Sequence, residues 1–133
     1  MKSISFRFFI GILFLFFSFS LAAKQSDLEQ VRLDPVVMVK RMFQAIQEND
    51  LKTVRELMWP ERFKTLESGL KAQGSDWKVW FALWQRYPVL LVSGPPVSTG
   101  SGNSYRIRVD YQQIGSDSVG LRQEGGRWYW DEN

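Results

Sequence analysis

The densest group of side chains with binding chemistry in this chain is aromatic. Trp77, Trp80, Phe81 and Trp84 follow one another at spacings of three and four residues. Because an α-helix completes a turn in about 3.6 residues, this spacing places the four rings on one helical face. Such a face usually packs into a core, but four large rings in a small domain can also form a wall on which a ligand ring or a sugar stacks. The spacing therefore predicts an aromatic helix face, with burial as the favoured role and ligand binding as the alternative.

Two tyrosines of a later segment offer polar groups to such a pocket. Tyr105, Ile107, Val109 and Tyr111 alternate with polar residues, which predicts a strand with one buried and one exposed face. We expect Tyr105 and Tyr111 to line the sheet side of the pocket, with Tyr111 as the better hydrogen-bonding candidate. The alternative is a hydroxyl that simply reaches water at the edge of the sheet.

The residues that most often perform catalysis are absent. The chain has no His and no Cys, which removes the commonest general bases, nucleophiles and transition-metal ligands, and also excludes disulfides. Asp110 precedes Tyr111, but neighbouring residues of a strand point to opposite faces, so Asp110 is expected to face water. The sequence therefore predicts a protein that is not an enzyme and that uses neither a metal nor a cofactor.

Four arginines are expected on the outer face of the same sheet, where they could meet an acidic partner. Asp110 and Glu124 interrupt their charge, and no aromatic residues alternate with them as in nucleic-acid-binding surfaces. Cross-strand ion pairs explain the set equally well, so no nucleic-acid partner is predicted. The four residues are Arg106, Arg108, Arg122 and Arg127.

The N-terminal segment predicts export from the cytoplasm. Residues 1–23 combine a basic start, an unbroken apolar run and a tail of small residues, the three parts of a signal peptide, with cleavage after Ala22 or Ala23. Lys24 stands where a lipoprotein needs Cys, and an uncleaved leader that anchors the chain in a membrane is the alternative. The leader holds two of the 17 basic residues and none of the 14 acidic ones, so the remainder has a net charge of only +1. A flexible lead-in is expected at residues 24–33.

Four helical segments are expected next. Asp34-Pro35 is a helix-start pair, and Asn49-Asp50 ends the first helix and caps the second. Trp59-Pro60 ends the second helix, because Pro disfavours helical geometry in the residue before it. A third helix reaches Gln73-Gly74, and the fourth carries the aromatic face.

After the fourth helix the apolar pattern changes to alternation, which indicates a sheet. Val89–Val92 is an uninterrupted apolar run, typical of a strand covered on both faces, and Gly94-Pro95-Pro96 bends or interrupts it. We expect a flexible hairpin loop at Ser98–Ser104, a turn at Gly115–Ser118 and a final hairpin at Gly125-Gly126. Helices followed by an antiparallel meander predict the α+β class.

Three features together carry a family resemblance. They are the helical hairpin from Asp34-Pro35 through Asn49-Asp50 to Leu57, the late meander, and a closing strand in which Trp128 and Trp130 share one face and are expected to pack. With these features the domain at residues 34–133 resembles the NTF2-like superfamily, in particular its small exported bacterial members. Many members place a strand between the second and third helices, where this chain is expected to be helical.

The resemblance implies helices packed on a curved sheet, with an apolar pocket at the wide end of a cone. It also implies a periplasmic or secreted location, but no reaction. We therefore expect a non-catalytic domain that binds a small apolar or aromatic ligand in its cone. The alternative is an envelope interaction module, as a homodimer or a subunit of a larger assembly, with a filled cavity. The expected ligand-binding residues are Trp77, Trp80, Phe81, Trp84, Tyr105 and Tyr111.

Overall fold

The computed structural model describes residues 27–132, so the predicted signal peptide at residues 1–23 and the start of the lead-in lie outside the described residues. Helices pack against a curled four-stranded antiparallel sheet, which confirms the predicted α+β class. No helix within the described part of the chain has the length and apolar character needed to cross a membrane. The elements are α1 Pro35–Gln47, α2 Leu51–Leu57, α3 Pro60–Ala72, α4 Trp77–Gln85, β1 Val89–Ser98, β2 Ser104–Tyr111, β3 Gly115–Glu124 and β4 Arg127–Trp130.

Carboxylate caps start the first two helices where the sequence predicted them. The Asp34 side chain accepts a hydrogen bond from the backbone N–H of Val36 at 2.9 Å, and Asp50 accepts one from the N–H of Thr53 at 3.1 Å. Asn49, with a φ of 54°, reverses the chain between α1 and α2. Each cap satisfies an N–H group that has no partner inside its helix. The predicted helical hairpin is therefore confirmed.

The segment after Trp59-Pro60 is helical, as predicted, and forms α3. Phe63 is the buried residue of α3, so most of this helix remains at the surface. The guanidinium of Arg62 donates to the Asp131 carboxylate at 2.9 Å. This partly buried ion pair ties α3 to the end of the sheet.

The sheet has the order β1-β2-β3-β4, with each strand antiparallel to the next along the chain. Ile107 of β2 pairs with Val119 of β3, and both side chains are buried. The predicted turn at Gly115–Ser118 is wrong, because Gly115 already pairs with Tyr111 and the chain reverses over residues 112–114. The polar residues after Gly115 belong to an exposed strand end, which explains why they resemble a turn in the sequence.

The first strand is an edge strand, and the prediction that it is covered on both faces is wrong. The side chains of Leu90 and Leu91 are 65% and 51% exposed. β1 also continues through Pro95-Pro96. Its register with β2 shifts between Ser93 and Val97, and an irregular part of an edge strand accommodates prolines because it does not need their backbone N–H groups. An apolar run in the sequence does not distinguish a central strand from an edge strand that lacks a cover.

The opposite edge of the sheet is covered by the chain itself. The N–H of Trp128 donates to the carbonyl of Arg32, and the N–H of Trp59 donates to the carbonyl of Trp130, both at 2.8 Å. Val31 and Arg32 are buried, and the compact unit that contains all eight elements begins at Val31. The predicted lead-in at residues 24–33 therefore includes two packed residues: Val31 is buried, and β4 uses the backbone carbonyl of Arg32 as a partner.

The core is centred on Trp130, which is fully buried. Its ring meets Phe43 of α1 edge-on at 5.4 Å between centroids and Trp84 of α4 at 5.3 Å. Trp130 thus contacts two helices from the last strand. Other fully or almost fully buried side chains are Met38, Val39, Met42, Ile46, Val54, Leu57, Met58, Ile107, Val109, Val119 and Leu121.

We predict that Trp130→Ala lowers the free energy of unfolding by about 3–5 kcal/mol, since it removes a buried indole and leaves a cavity. Trp77→Ala is the matched control and should cost clearly less, because Trp77 is only half-buried. Urea denaturation followed by circular dichroism measures both losses. Trp130→Phe keeps a ring at the site, so its loss of unfolding free energy should lie between those of the two alanine variants. Equal losses for the two alanine variants would contradict the central role of Trp130.

Candidate functional site

The aromatic face of α4 is divided between the core and the surface. Trp80 and Phe81 are buried, at 5% and 4% exposed, whereas Trp77 and Trp84 are half-buried. The ring of Trp84 lies 6.1 Å from Trp80 and 6.0 Å from Phe43 of α1. These rings contact one another, so packed side chains occupy this part of the α4 face.

The cluster extends from α4 in two directions. Trp77 stacks on Phe63 of α3 at 4.7 Å, and its indole N–H donates to the Glu67 carboxylate at 3.3 Å. At the other side, Phe43 meets Tyr111 of β2 edge-on at 6.0 Å. A continuous series of ring contacts therefore joins Trp77 to Tyr111.

Tyr105, in contrast, belongs to another part of the sheet. It is half-buried and packs edge-on against Trp128 at 4.9 Å, at the opposite end of β2 from Tyr111. The structure thus brings together five of the six predicted ligand-binding residues and separates Tyr105 from them. Phe43, which completes the series of rings, was not a candidate because it occupies an ordinary apolar position of α1.

The aromatic cluster contains few polar groups. The indole N–H groups of Trp80 and Trp130 are buried and have no hydrogen-bond partner within residues 27–132. Burial, with smaller effects from Asp117 and Glu132, raises the pKa of the Tyr111 hydroxyl to about 12. Tyr111 therefore stays neutral at physiological pH and is a poor general base.

The arginines of the outer sheet face are paired with neighbours. Arg108 donates to Asp110 at 3.1 Å, and Arg122 donates to Glu124 at 2.7 Å. These pairs lie two residues apart on one strand, so the predicted cross-strand pairing is wrong for them. The alternation of a strand places residues i and i+2 on the same face, which brings each pair together.

Hydrogen bonds to these carboxylates favour their charged forms. Bonds from Ser116 and then Arg108 hold the pKa of Asp110 below its usual range. Bonds from Asn103 and then Arg122 do the same for Glu124. Asp110 lies on the outer face, away from the aromatic cluster, as the alternation predicted.

A groove of about 360 Å³ lies between α1 and β1. Phe43 supplies an aromatic ring from α1, and Lys40, Gln44 and Gln47 add polar groups along that helix. The other side is formed by the five consecutive residues 88–92, at the start of β1. Sequence reasoning missed this site, although prolines within a strand, here Pro95 and Pro96, are a signal for an edge strand.

Within residues 27–132, no group of three or more side chains is arranged to hold a metal ion. Comparison with protein-family models, with curated proteins and with solved structures finds no match.

We predict that Tyr111 makes the protein less stable as the pH rises from 10 towards 12. An unfolded Tyr loses its proton near pH 10, whereas the buried hydroxyl keeps its proton up to a pKa of about 12. The unfolded state is therefore favoured in this window, by at most about 1.4 kcal/mol per pH unit. Denaturant unfolding at pH 9, 10 and 11 measures the effect.

The control is Tyr111→Phe, which keeps the ring and removes the ionisable group. Contributions from the other titrating side chains are common to both proteins, so the difference between them isolates Tyr111. The same loss of stability in both proteins between pH 10 and pH 11 would contradict the prediction.

Proposed function

We propose that the chain is an exported, non-catalytic interaction domain that binds its partner as an added strand along β1. The observation that carries this proposal is the contrast between the two edges of the sheet. The β4 edge is covered by Arg32 and Trp59, whereas no strand within the described residues pairs with the outer edge of β1. An uncovered edge presents backbone N–H and C=O groups to another chain.

The side chains of β1 also favour the binding of a partner strand. Val89–Ser98 contains no charged residue, whereas edge strands that must avoid association usually carry Lys or another charge. Leu90, Leu91 and Val97 are exposed along the strand. A binding strand would cover these apolar side chains and complete the hydrogen bonds of the edge.

A non-catalytic role agrees with the chemistry of the side chains. The chain has no His and no Cys. Asp110 and Tyr111 point to opposite faces of β2, and the raised pKa of Tyr111 and lowered pKa of Asp110 make both groups poor general bases, which supports a non-catalytic role. The proposal retains the NTF2-like resemblance and corresponds to the alternative with a filled cavity, since the rings of α4 pack on one another.

A second function is favoured by the groove between α1 and β1. Its volume of about 360 Å³ lies within the usual range for a small-molecule site, and its apolar wall carries polar groups at one side. We propose as the second candidate that a small apolar or aromatic ligand binds in this groove, next to the aromatic cluster.

Photo-crosslinking in living cells tests the interaction domain. A photoreactive phenylalanine replaces Leu90, and the protein is expressed with its own leader and recovered from the exported fraction. We expect an adduct of discrete mass, because Leu90 would face the partner strand. Adding Leu91→Lys should abolish the adduct by placing a charge in the apolar contact.

The control position is Val79, which is also exposed but lies on α4. It should give no adduct. Absence of an adduct at Leu90, or equal adducts at both positions, would refute the proposal, and absence of the protein from the exported fraction would refute export.

Native mass spectrometry tests the second function. A protein that retains a ligand of a few hundred daltons should lose it on Gln44→Trp, because the larger side chain fills the groove. Lys64→Trp, at an exposed position of α3, is the control and should retain the ligand. A ligand-free protein, or equal retention in both variants, would exclude the groove as a ligand site.

A further inference from the structure

We propose that the groove between α1 and β1 binds a small carboxylate with an apolar tail, and that the carboxylate binds at Lys40. This inference rests on the second candidate function described above and names the chemical class of its ligand. Three observations carry it: the direction of β1 along α1, a bulge in β1 at Leu90, and the charge of the residues that line the groove.

The two sides of the groove run in opposite directions. The side-chain amide of Gln85, which precedes β1, donates to the carbonyl of Ile46 near the end of α1 at 2.8 Å. Near the start of α1, a methyl group of Val36 lies 3.0 Å from the position that a Cβ would take on Gly94. The start of β1 therefore lies beside the end of α1, and the strand then passes back along the helix.

This direction separates the polar side chains along the groove. Of the α1 residues that line it, Lys40 is nearest the start of the helix and therefore lies towards the Val92 end of the strand. Gln47 is nearest the end of the helix and lies towards Pro88. Seven helical residues at 1.5 Å each separate Lys40 from Gln47 by about 10 Å along the helix axis. The groove thus has a cationic end and an uncharged amide end.

The apolar wall of the groove depends on a bulge in β1. Val89 pairs with Tyr111 and Leu91 with Asp110, so Leu90 is an extra residue without a partner in β2. Neighbouring side chains of a regular strand point to opposite faces, but a bulge changes the direction of one of them. Leu90 and Leu91 are both exposed, and both line the groove. The bulge therefore gives the groove two adjacent leucines for contact with an apolar tail.

The charge of the groove favours an anionic ligand. Among the described residues that line it, Lys40 is the charged one, and its ammonium group forms no ion pair within residues 27–132. The Glu48 carboxylate accepts a hydrogen bond from the side-chain amide of Gln44 at 3.1 Å, so the nearest acidic group on α1 lies towards the end away from Lys40. A carboxylate at Lys40 would gain a charge-assisted hydrogen bond while its tail covers Phe43 and the leucines.

Two probes with the same tail and opposite charge test this inference. Decanoate and decylammonium are both charged at neutral pH and differ only in the head group. For a probe of about 12 non-hydrogen atoms in an open groove, we expect a Kd of about 0.1–1 mM for decanoate. Decylammonium should bind at least about tenfold more weakly, because Lys40 repels it. Nuclear magnetic resonance titration of the isotope-labelled protein measures both Kd values from the backbone amide signals of residues 89–92.

Lys40→Glu should reverse the preference between the two probes. The variant keeps the apolar wall and exchanges the charge, so decanoate should bind at least about tenfold more weakly and decylammonium more tightly than to the wild type. Lys64→Glu is the matched control, because it changes the net charge by the same amount at an exposed position of α3. It should leave both Kd values within about twofold of the wild type. Gln44→Trp, which fills the groove, should remove the binding of both probes.

Equal affinity of the wild type for the two probes would overturn the inference, as would equal effects of Lys40→Glu and Lys64→Glu. In either case the groove would remain a ligand site, but one without a preference for carboxylates. If neither probe shifts the signals of residues 89–92, the groove itself is refuted as a site for such ligands. The photo-crosslinking experiment at Leu90 tests the binding of a partner strand separately, so failure of one proposal is distinguishable from failure of the other.

Discussion

The burial of Trp130 is the interaction on which the rest of the structure depends. β4 has only four residues, but it has backbone partners on both edges: β3 on one, and the carbonyl of Arg32 and the N–H of Trp59 on the other. From this position Trp130 reaches Phe43 of α1 and Trp84 of α4. One side chain thus joins two helices and the sheet, and the backbone around it also holds the chain segments that precede α1 and α3.

Cation–π and ring contacts on the outer face of the sheet help to hold the segments at Arg32 and Trp59 against β4. The Arg122 guanidinium lies 4.5 Å from the centre of the Trp59 ring, and Trp59 contacts Tyr129 edge-on at 5.3 Å. Arg32 lies 5.5 Å from the centre of the Tyr129 ring. Each cation–π contact contributes about 0.5–1 kcal/mol at a surface. Among the described residues, these contacts cover the β4 edge of the sheet, whereas no strand pairs with the outer edge of β1.

Local signals in the sequence were sufficient to predict the helices and the alternation of buried and exposed residues along β2. Asp34 and Asp50 cap their own helices, so their roles depend on residues only two or three positions away. The environments of Arg32 and Leu91 depend on distant parts of the chain. The carbonyl of Arg32 bonds to β4, and Leu91 lies on an edge strand that has no neighbour on its outer side within residues 27–132. The candidate site also contains residues predicted from local spacing and one residue whose position depends on distant parts of the chain. Helical spacing predicted the α4 rings, but the hairpin register that places Tyr105 beside Trp128 cannot be derived from spacing alone.

The contact between Phe43 and Trp130 has a consequence for the order of folding, because it joins the first helix of the domain to its last strand. Contacts between residues far apart in the sequence form late, since the intervening chain must first lose its conformational freedom. The helices can form early, but they lack the ring that closes the core until β4 has been synthesised. Such a delay would keep the growing chain without a closed core, a state compatible with passage through a translocation channel if the leader directs export as we propose.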